Sequence, residues 1–161
     1  MLPRTYEGQR CSIARALEVM GERWTPLILR DASRGTRRFE DFQARLGIAR
    51  NILSVRLARL CEEGLMERRR YQERPPRDEY LLTQKGRDLE PVLLGLMRWG
   101  DRYAAPDGPP VVLTHEPDGH ELEPVLVCAG CGEPLTPGSV ATHPGPGAAG
   151  ALSASPGTGS D

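Results

Sequence analysis

Apolar residues Ile13, Leu17, Met20 and Trp24 recur at i, i+4, i+7 and i+11, the stripe of an amphipathic helix. Thr25-Pro26 predicts a restart, with Thr25 as N-cap and Pro26 at the first helical position. LILRDAS continues that second helix until Gly35 stops it. Phe39, Phe42 and Leu46 predict a short third helix, with Gly47 at its C-terminal cap. A fourth is expected over 50–63, ended by Gly64. The period then changes from helical to alternating. LMERRRY and DEYLLT predict two strands joined by QERPPR, whose prolines have no place in a sheet ladder. Thr83 is expected to cap one long helix reaching residue 103, with Leu89, Val92, Leu93, Leu96 and Trp99 along one side and a kink at Pro91.

Two short helices joined by a tight turn, followed by a strand hairpin, predict a winged helix-turn-helix. The fold class is mostly α with a small β wing, extended by a short C-terminal appendage. The winged-helix domain spans 1–103. After the linker AAPDGPP, VVLTHEPDGHELEPVLVCAGCG predicts a hairpin leading into a turn, and the appendage runs over 104–143. Residues 144–161 are Gly-, Pro-, Ala- and Ser-rich and are expected to be disordered.

At 100° per residue, Leu53, Leu57 and Leu60 of the fourth helix point together toward the core. Asn51, Val55, Ala58, Arg59 and Glu62 face the other way, with Ile52 and Ser54 at the margins. Small apolar groups beside an amide suit a major groove, where Asn reads adenine and Val or Ala touches thymine methyls. Arg50, at the helix start, is placed to reach a base or a phosphate. Arg56 lies nearer the core edge, and phosphate binding and an internal ion pair are both open to it.

Charge sharpens this reading. The chain has 161 residues and a net charge of -1. Residues 34–77 nevertheless hold twelve arginines against six acidic residues, a local net of +6, while the rest carries -7. A basic middle flanked by acidic ends is the electrostatic footprint of a polyanion partner; a solvated arginine-rich surface is the bland alternative. The stretch RRRYQERPPRDEY concentrates five arginines in the predicted hairpin. Arg68, Arg69, Arg70, Arg74 and Arg77 are therefore expected to meet DNA phosphates or reach the minor groove. The candidate double-stranded DNA contacts are those five with Arg50, Asn51, Ser54, Val55, Ala58 and Arg59. No run approaches the ~20 apolar residues of a membrane span, and MLPRTYEGQRC lacks the apolar stretch of a secretory signal. A cytoplasmic protein with reduced cysteines and no membrane partner is expected.

CSIARALEVMGERWTPLILRDASRGTRRFEDFQARLGIARNILSVRLARLCEEGLMERRRY, followed by PPRDEYLLTQKGRDLEPVLLGLMRW, resembles the HxlR-type regulators, relatives of MarR proteins. The likeness runs from about Cys11 to Trp99 and joins several motifs in one order. It implies a homodimeric transcription factor, mostly repressing, on a palindromic operator, with the first and last helices of the domain forming the dimer interface. It also bears on Cys11, because an N-terminal cysteine there serves some members as a thiol sensor. Arg10 and Arg15 lie close in sequence and would favour a thiolate; packing as a small hydrophobe is the alternative. A small-molecule effector is a further possibility the family leaves open.

Cys128-Ala-Gly-Cys131, followed by Gly132, is a knuckle suited to zinc, but one knuckle supplies two ligands only. Longer members of the family carry His-x-x-Cys-Gly upstream, completing four. This chain reads His115-Glu-Pro-Asp118-Gly119, with Asp in place of that cysteine. Two outcomes stay open: His115, Cys128 and Cys131 bind zinc with Asp118 or His120, or the appendage has lost its metal. Cys61 falls beside Leu57 and Leu60 and is expected in the core.

Other functions are weighed on the same residues. A CxxC thiol-disulfide protein needs a βαβ context that Cys128 and Cys131 lack. A protein-interaction module on a winged-helix scaffold is the alternative, over which the Asn51, Val55, Ala58 face and the five wing arginines favour DNA. Nothing resembles a hydrolase triad, a phosphate loop or paired catalytic carboxylates, so no enzyme is expected.

Overall fold

A computed structural model describes Tyr6 and residues 9–148. Its contacts divide the chain into two units: Ala16–Pro124, and Met1–Arg15 together with Val125–Asp161. The elements in order are α1 (Ser12–Met20), α2 (Thr25–Ser33), α3 (Phe39–Leu46), α4 (Arg50–Glu62), β1 (Met66–Gln72), β2 (Arg77–Leu82), α5 (Gln84–Arg87) and α6 (Glu90–Tyr103). A mostly helical chain with, among the described residues, one antiparallel strand pair is the winged helix-turn-helix that the sequence predicts.

The core of the Ala16–Pro124 unit is built from Ile28 and Leu29 of α2, Phe42 of α3, Ile48 of the turn, Leu53, Leu57 and Leu60 of α4, and Leu65 and Met66 entering β1. The three leucines of α4 bury one stripe at i, i+4 and i+7, which fixes the opposite stripe toward solvent. Asp31 is buried among these apolar groups. Its Oδ1 accepts from Arg30 Nε at 2.9 Å, while its Oδ2 lies 3.6 Å from Arg45 Nε on α3 without a hydrogen bond. This carboxylate therefore ties α2 to α3, the helix that precedes the turn.

Two local expectations are corrected. Thr25 is not the N-cap of α2 but its first residue, with Trp24 at the cap and no side-chain cap hydrogen bond. Thr25 is instead buried, and its N–H donates to the Glu22 carbonyl at 2.9 Å, so tertiary packing outweighs the capping preference. The expected single helix after Thr83 is two, broken at Asp88 and Leu89. Pro91 has no N–H to continue the ladder, and Leu89 closes the end of α5 by bonding back to Gly86 at 3.3 Å. Thr83 does cap α5: its Oγ accepts from Gly86 N at 3.2 Å and donates to the Gly64 carbonyl at 2.6 Å.

The hairpin expected after the linker is reduced to two small turns, with no regular strand among the described residues beyond 103. One is closed by the antiparallel bridge Thr114↔Glu121 in the Ala16–Pro124 unit, the other by Val127↔Pro134 in the second unit. Pro117, Pro124, Pro134 and Pro137 remove the donors a longer ladder would need. The disordered tail expected over 144–161 lies, from residue 149 onward, outside the described residues; before that, Pro146–Ala148 forms a 3-10 turn.

Candidate nucleic-acid interface

Helix α4 follows α3 across the turn at Gly47 and Ile48, the arrangement in which the second helix of the pair enters a groove. Its outward stripe carries Asn51, Ser54, Val55 and Ala58, all exposed, with Val55 at 59% and Ile52 at 38%. An exposed β-branched side chain beside an amide and a hydroxyl gives base-edge hydrogen bonding and methyl contact on one face. Arg50 lies over the Phe39 ring at 4.8 Å, which holds its guanidinium at the start of α4.

The other arginines of α4 are already engaged. Arg56 pairs with Glu22 at 2.9 Å, so of its two open roles the structure takes the internal ion pair. Arg59 pairs with Glu63 at 2.5 Å and Glu62 at 3.7 Å, one turn further along the helix. Lys85 donates from Nζ to the Glu63 carbonyl at 2.5 Å, satisfying a C-terminal group of α4 from outside the helix.

The wing is sorted by the strand register. Arg68, Arg69 and Arg70 of β1 stand opposite Tyr80, Glu79 and Asp78 of β2. Arg69 donates to Glu79 at 2.8 and 3.0 Å. Arg68 and Arg70 both donate to Asp78, each from Nε at 2.7 Å. Those hydrogen bonds, from Arg70 first and Arg68 next, hold the Asp78 carboxyl below its usual range. Arg74 and Arg77 are exposed at the tip and make no ion pair among the described residues. The acidic residues of DEY thus neutralise part of the charge that the arginine-rich segment carries.

The structure adds a basic edge that residue spacing did not single out. Arg38 forms an isolated bridge with Glu79, and Tyr80 N donates to the Arg37 carbonyl at 2.7 Å, so residues 37 and 38 lie along the outer side of β2. Arg38 also sits over the Tyr71 ring at 4.9 Å, at the irregularity between Arg70 and Gln72. In the sequence this edge is only the pair Arg37-Arg38 between Gly35 and the first residue of α3, too short to show a period.

The remaining candidate residues are distributed as follows. Cys11 is exposed and Cys61 is half-buried against the core, where burial pushes its thiol up. His115, Asp118 and His120 come together in the turn closed by Thr114↔Glu121. Cys128 and Cys131 belong to the other unit, where hydrogen bonds from the Cys131 and Gly130 backbone lower the Cys128 thiol.

Comparison with known proteins supplies the family. Residues 19–108 match the HxlR-like helix-turn-helix family. An HTH-type transcriptional regulator of Mycobacterium tuberculosis is 48% identical over 147 residues, covering 91% of this chain and 92% of that one. The crystal structure of PA1607, a candidate transcription factor, superposes with a TM-score of 0.76 at 40% identity, covering 85% of this chain and 96% of the other. The reduced form of the redox regulator HypR superposes with a TM-score of 0.55 at 30% identity, covering 60% of this chain and 99% of its own. With the buried leucine stripe of α4 and the paired wing beside these matches, the chain belongs to the HxlR-like family of helix-turn-helix transcriptional regulators.

Proposed function

We propose that this regulator is a homodimeric repressor that reads a palindromic operator in the cytoplasm. Helix α4 lies in the major groove and the wing follows the flanking backbone. The observation that carries this reading is the outward stripe of α4: Asn51, Ser54, Val55 and Ala58 offer hydrogen-bonding and methyl groups to base edges while Leu53, Leu57 and Leu60 anchor the same helix in the core. Arg50, Arg74 and Arg77 serve phosphates, and Arg59, Arg68, Arg69 and Arg70 join them to the extent that their carboxylate partners release them. Self-association is supported by α6, which exposes Val92, Leu96, Trp99 and Tyr103, and by α1, which exposes Ile13 and Leu17. The two α4 helices of the dimer then enter successive major grooves ~34–36 Å apart. A thiol or small-molecule signal acts on this binding, with the exposed Cys11 as the thiol candidate.

Operator footprinting with the full chain tests the reading. Two protected half-sites one helical turn apart are expected, and Asn51→Ala should relax discrimination at one base position by about 1–3 kcal/mol. Equal loss of affinity across a panel of single-base operator changes would remove Asn51 from the base readers. A monomer in sedimentation at micromolar concentration would overturn the dimer.

A further inference from the structure

The turn from His115 to His120 brings together three metal-ligating side chains that DNA reading does not use. His115 Nδ1 and His120 Nδ1 both approach the same oxygen of Asp118, at 3.3 and 2.6 Å, and the two rings lie 5.2 Å apart. All three ligand atoms lie within 4.8 Å of one another. The backbone sets this convergence. His115 N donates to the His120 carbonyl at 2.8 Å, which places the two histidines opposite each other at the mouth of the turn. Gly119 N donates to the His115 carbonyl at 2.6 Å, and Gly119 takes φ 72°, a conformation that L side chains rarely adopt. The chain can then double back within four residues and turn Asp118 inward between the rings.

We infer that His115, Asp118 and His120 form a binding site for a divalent transition-metal ion, ligated by two imidazoles and one carboxylate and by no thiolate. The dimensions allow it. Ligands at about 2.0–2.1 Å around a tetrahedral ion stand roughly 3.3 Å apart. The His115–Asp118 separation already has that value, the His120–Asp118 contact has to open by about 0.7 Å, and exposed side chains make such changes by small rotations. The donor set selects the ion class. Imidazole with carboxylate suits zinc, cobalt, nickel and copper, whereas calcium and magnesium require more oxygen ligands. Three protein ligands leave a further position for water or an outside donor.

The turn is also connected to the body of its unit. Leu122 N donates to the Leu113 carbonyl at 2.7 Å just below it. Leu113 and Leu122 line a cavity of about 350 Å³ shared with Leu94, Met97 and Arg98 of α6. Arg98 pairs with Glu123 at 2.6 Å on the same hairpin. An ion that clamps the tip therefore restrains a segment resting on α6.

The test uses the full chain, stripped with chelator and titrated with cobalt, then zinc, without DNA, so it stands apart from operator binding. One ion per chain is expected, with a cobalt spectrum that lacks the intense near-ultraviolet charge-transfer band of thiolate ligands. A Cys128→Ser Cys131→Ser double variant should bind equally well. His115→Ala, His120→Ala and Asp118→Asn should each weaken binding at least about tenfold, since each removes a direct ligand. All three side chains are exposed, so the variants should fold, which circular dichroism checks. Zinc should also slow amide exchange over residues 113–122. No uptake by the stripped protein, a thiolate band, loss of the site in the double cysteine variant, or unchanged affinity in the histidine variants would each overturn the assignment and leave a hydrogen-bonded turn only.

Discussion

Arg69 and Glu79 stand opposite one another in the β1–β2 register, and the guanidinium donates two hydrogen bonds to a single carboxylate oxygen at 2.8 and 3.0 Å. The charge that would meet DNA is thus held by a partner on the adjacent strand. On an exposed strand pair such an ion pair adds little stability, so its larger effect is on which arginines are available to phosphate. Arg74 and Arg77 make no ion pair among the described residues, so theirs are the wing guanidiniums left unshared by Asp78 and Glu79.

The wing arginines should therefore differ in DNA binding. Arg74→Ala and Arg77→Ala should each reduce the slope of log affinity against log salt by about one unit, on every DNA sequence alike. Glu79→Gln, which releases Arg69, should strengthen binding and steepen the slope. Electrophoretic titrations across a salt series decide this. Slopes unchanged in both arginine variants would remove the wing tip from the backbone contacts.

Asp78 should titrate below its ordinary value of 3.8, because Arg70 and Arg68 both donate to its ionised form. A carboxyl whose folded value is depressed stabilises the fold fully above the unfolded value. That contribution is lost as pH falls through the lowered folded value. Carbon NMR of the Asp78 carboxyl should show a midpoint below 3.8, and Arg70→Gln should move it up. A midpoint at or above 3.8 in the unaltered chain would contradict the paired geometry.

Gly86 allows no side chain. A Cβ there would lie 2.2 Å from the Leu65 carbonyl oxygen and 3.0 Å from a methyl of Leu82, where α5 crosses the entry to the wing. The backbone neighbour cannot rotate away as a side chain would. Gly86→Ala should destabilise the protein by roughly 1–3 kcal/mol, more than the helix-propensity gain of alanine returns. Urea denaturation measures it, and an unshifted midpoint would show that α5 moves aside freely.

The cysteines should react in an order set by their surroundings. Burial raises the Cys61 thiol, and its half-buried position against the core limits access. Backbone N–H groups of Cys131 and Gly130 lower the Cys128 thiol. With a thiolate-selective alkylating agent over a pH series, Cys128 should label at lower pH than Cys61. Mass spectrometry of the labelled peptides gives the order, and labelling of Cys61 ahead of Cys128 would refute it.

Apolar spacing determined which face of α4 the winged-helix body buries. Leu53, Leu57 and Leu60 fall on one side of a 100° wheel, and burying them turns Asn51, Val55 and Ala58 outward whatever else the chain does. The glycines at 35, 47 and 64, all at positive φ, likewise mark where helices α2, α3 and α4 end. Long-range pairing was decided only in three dimensions. The stretch from Arg68 to Arg77 reads as five equivalent charges, yet the β1–β2 register gives three of them carboxylate partners and leaves two at the tip. Arg56 acquires Glu22 because α4 meets the loop between α1 and α2, and Arg38 joins the wing through a bridge too short to have a period. In the appendage, prolines remove ladder donors from the expected hairpin, and the tight turn at Gly119 gathers His115, Asp118 and His120 while the cysteines fall in another unit. Local periodicity encodes which face of an element is buried; which charges neutralise one another depends on strand register and helix packing, and those distances exist only once the chain has folded.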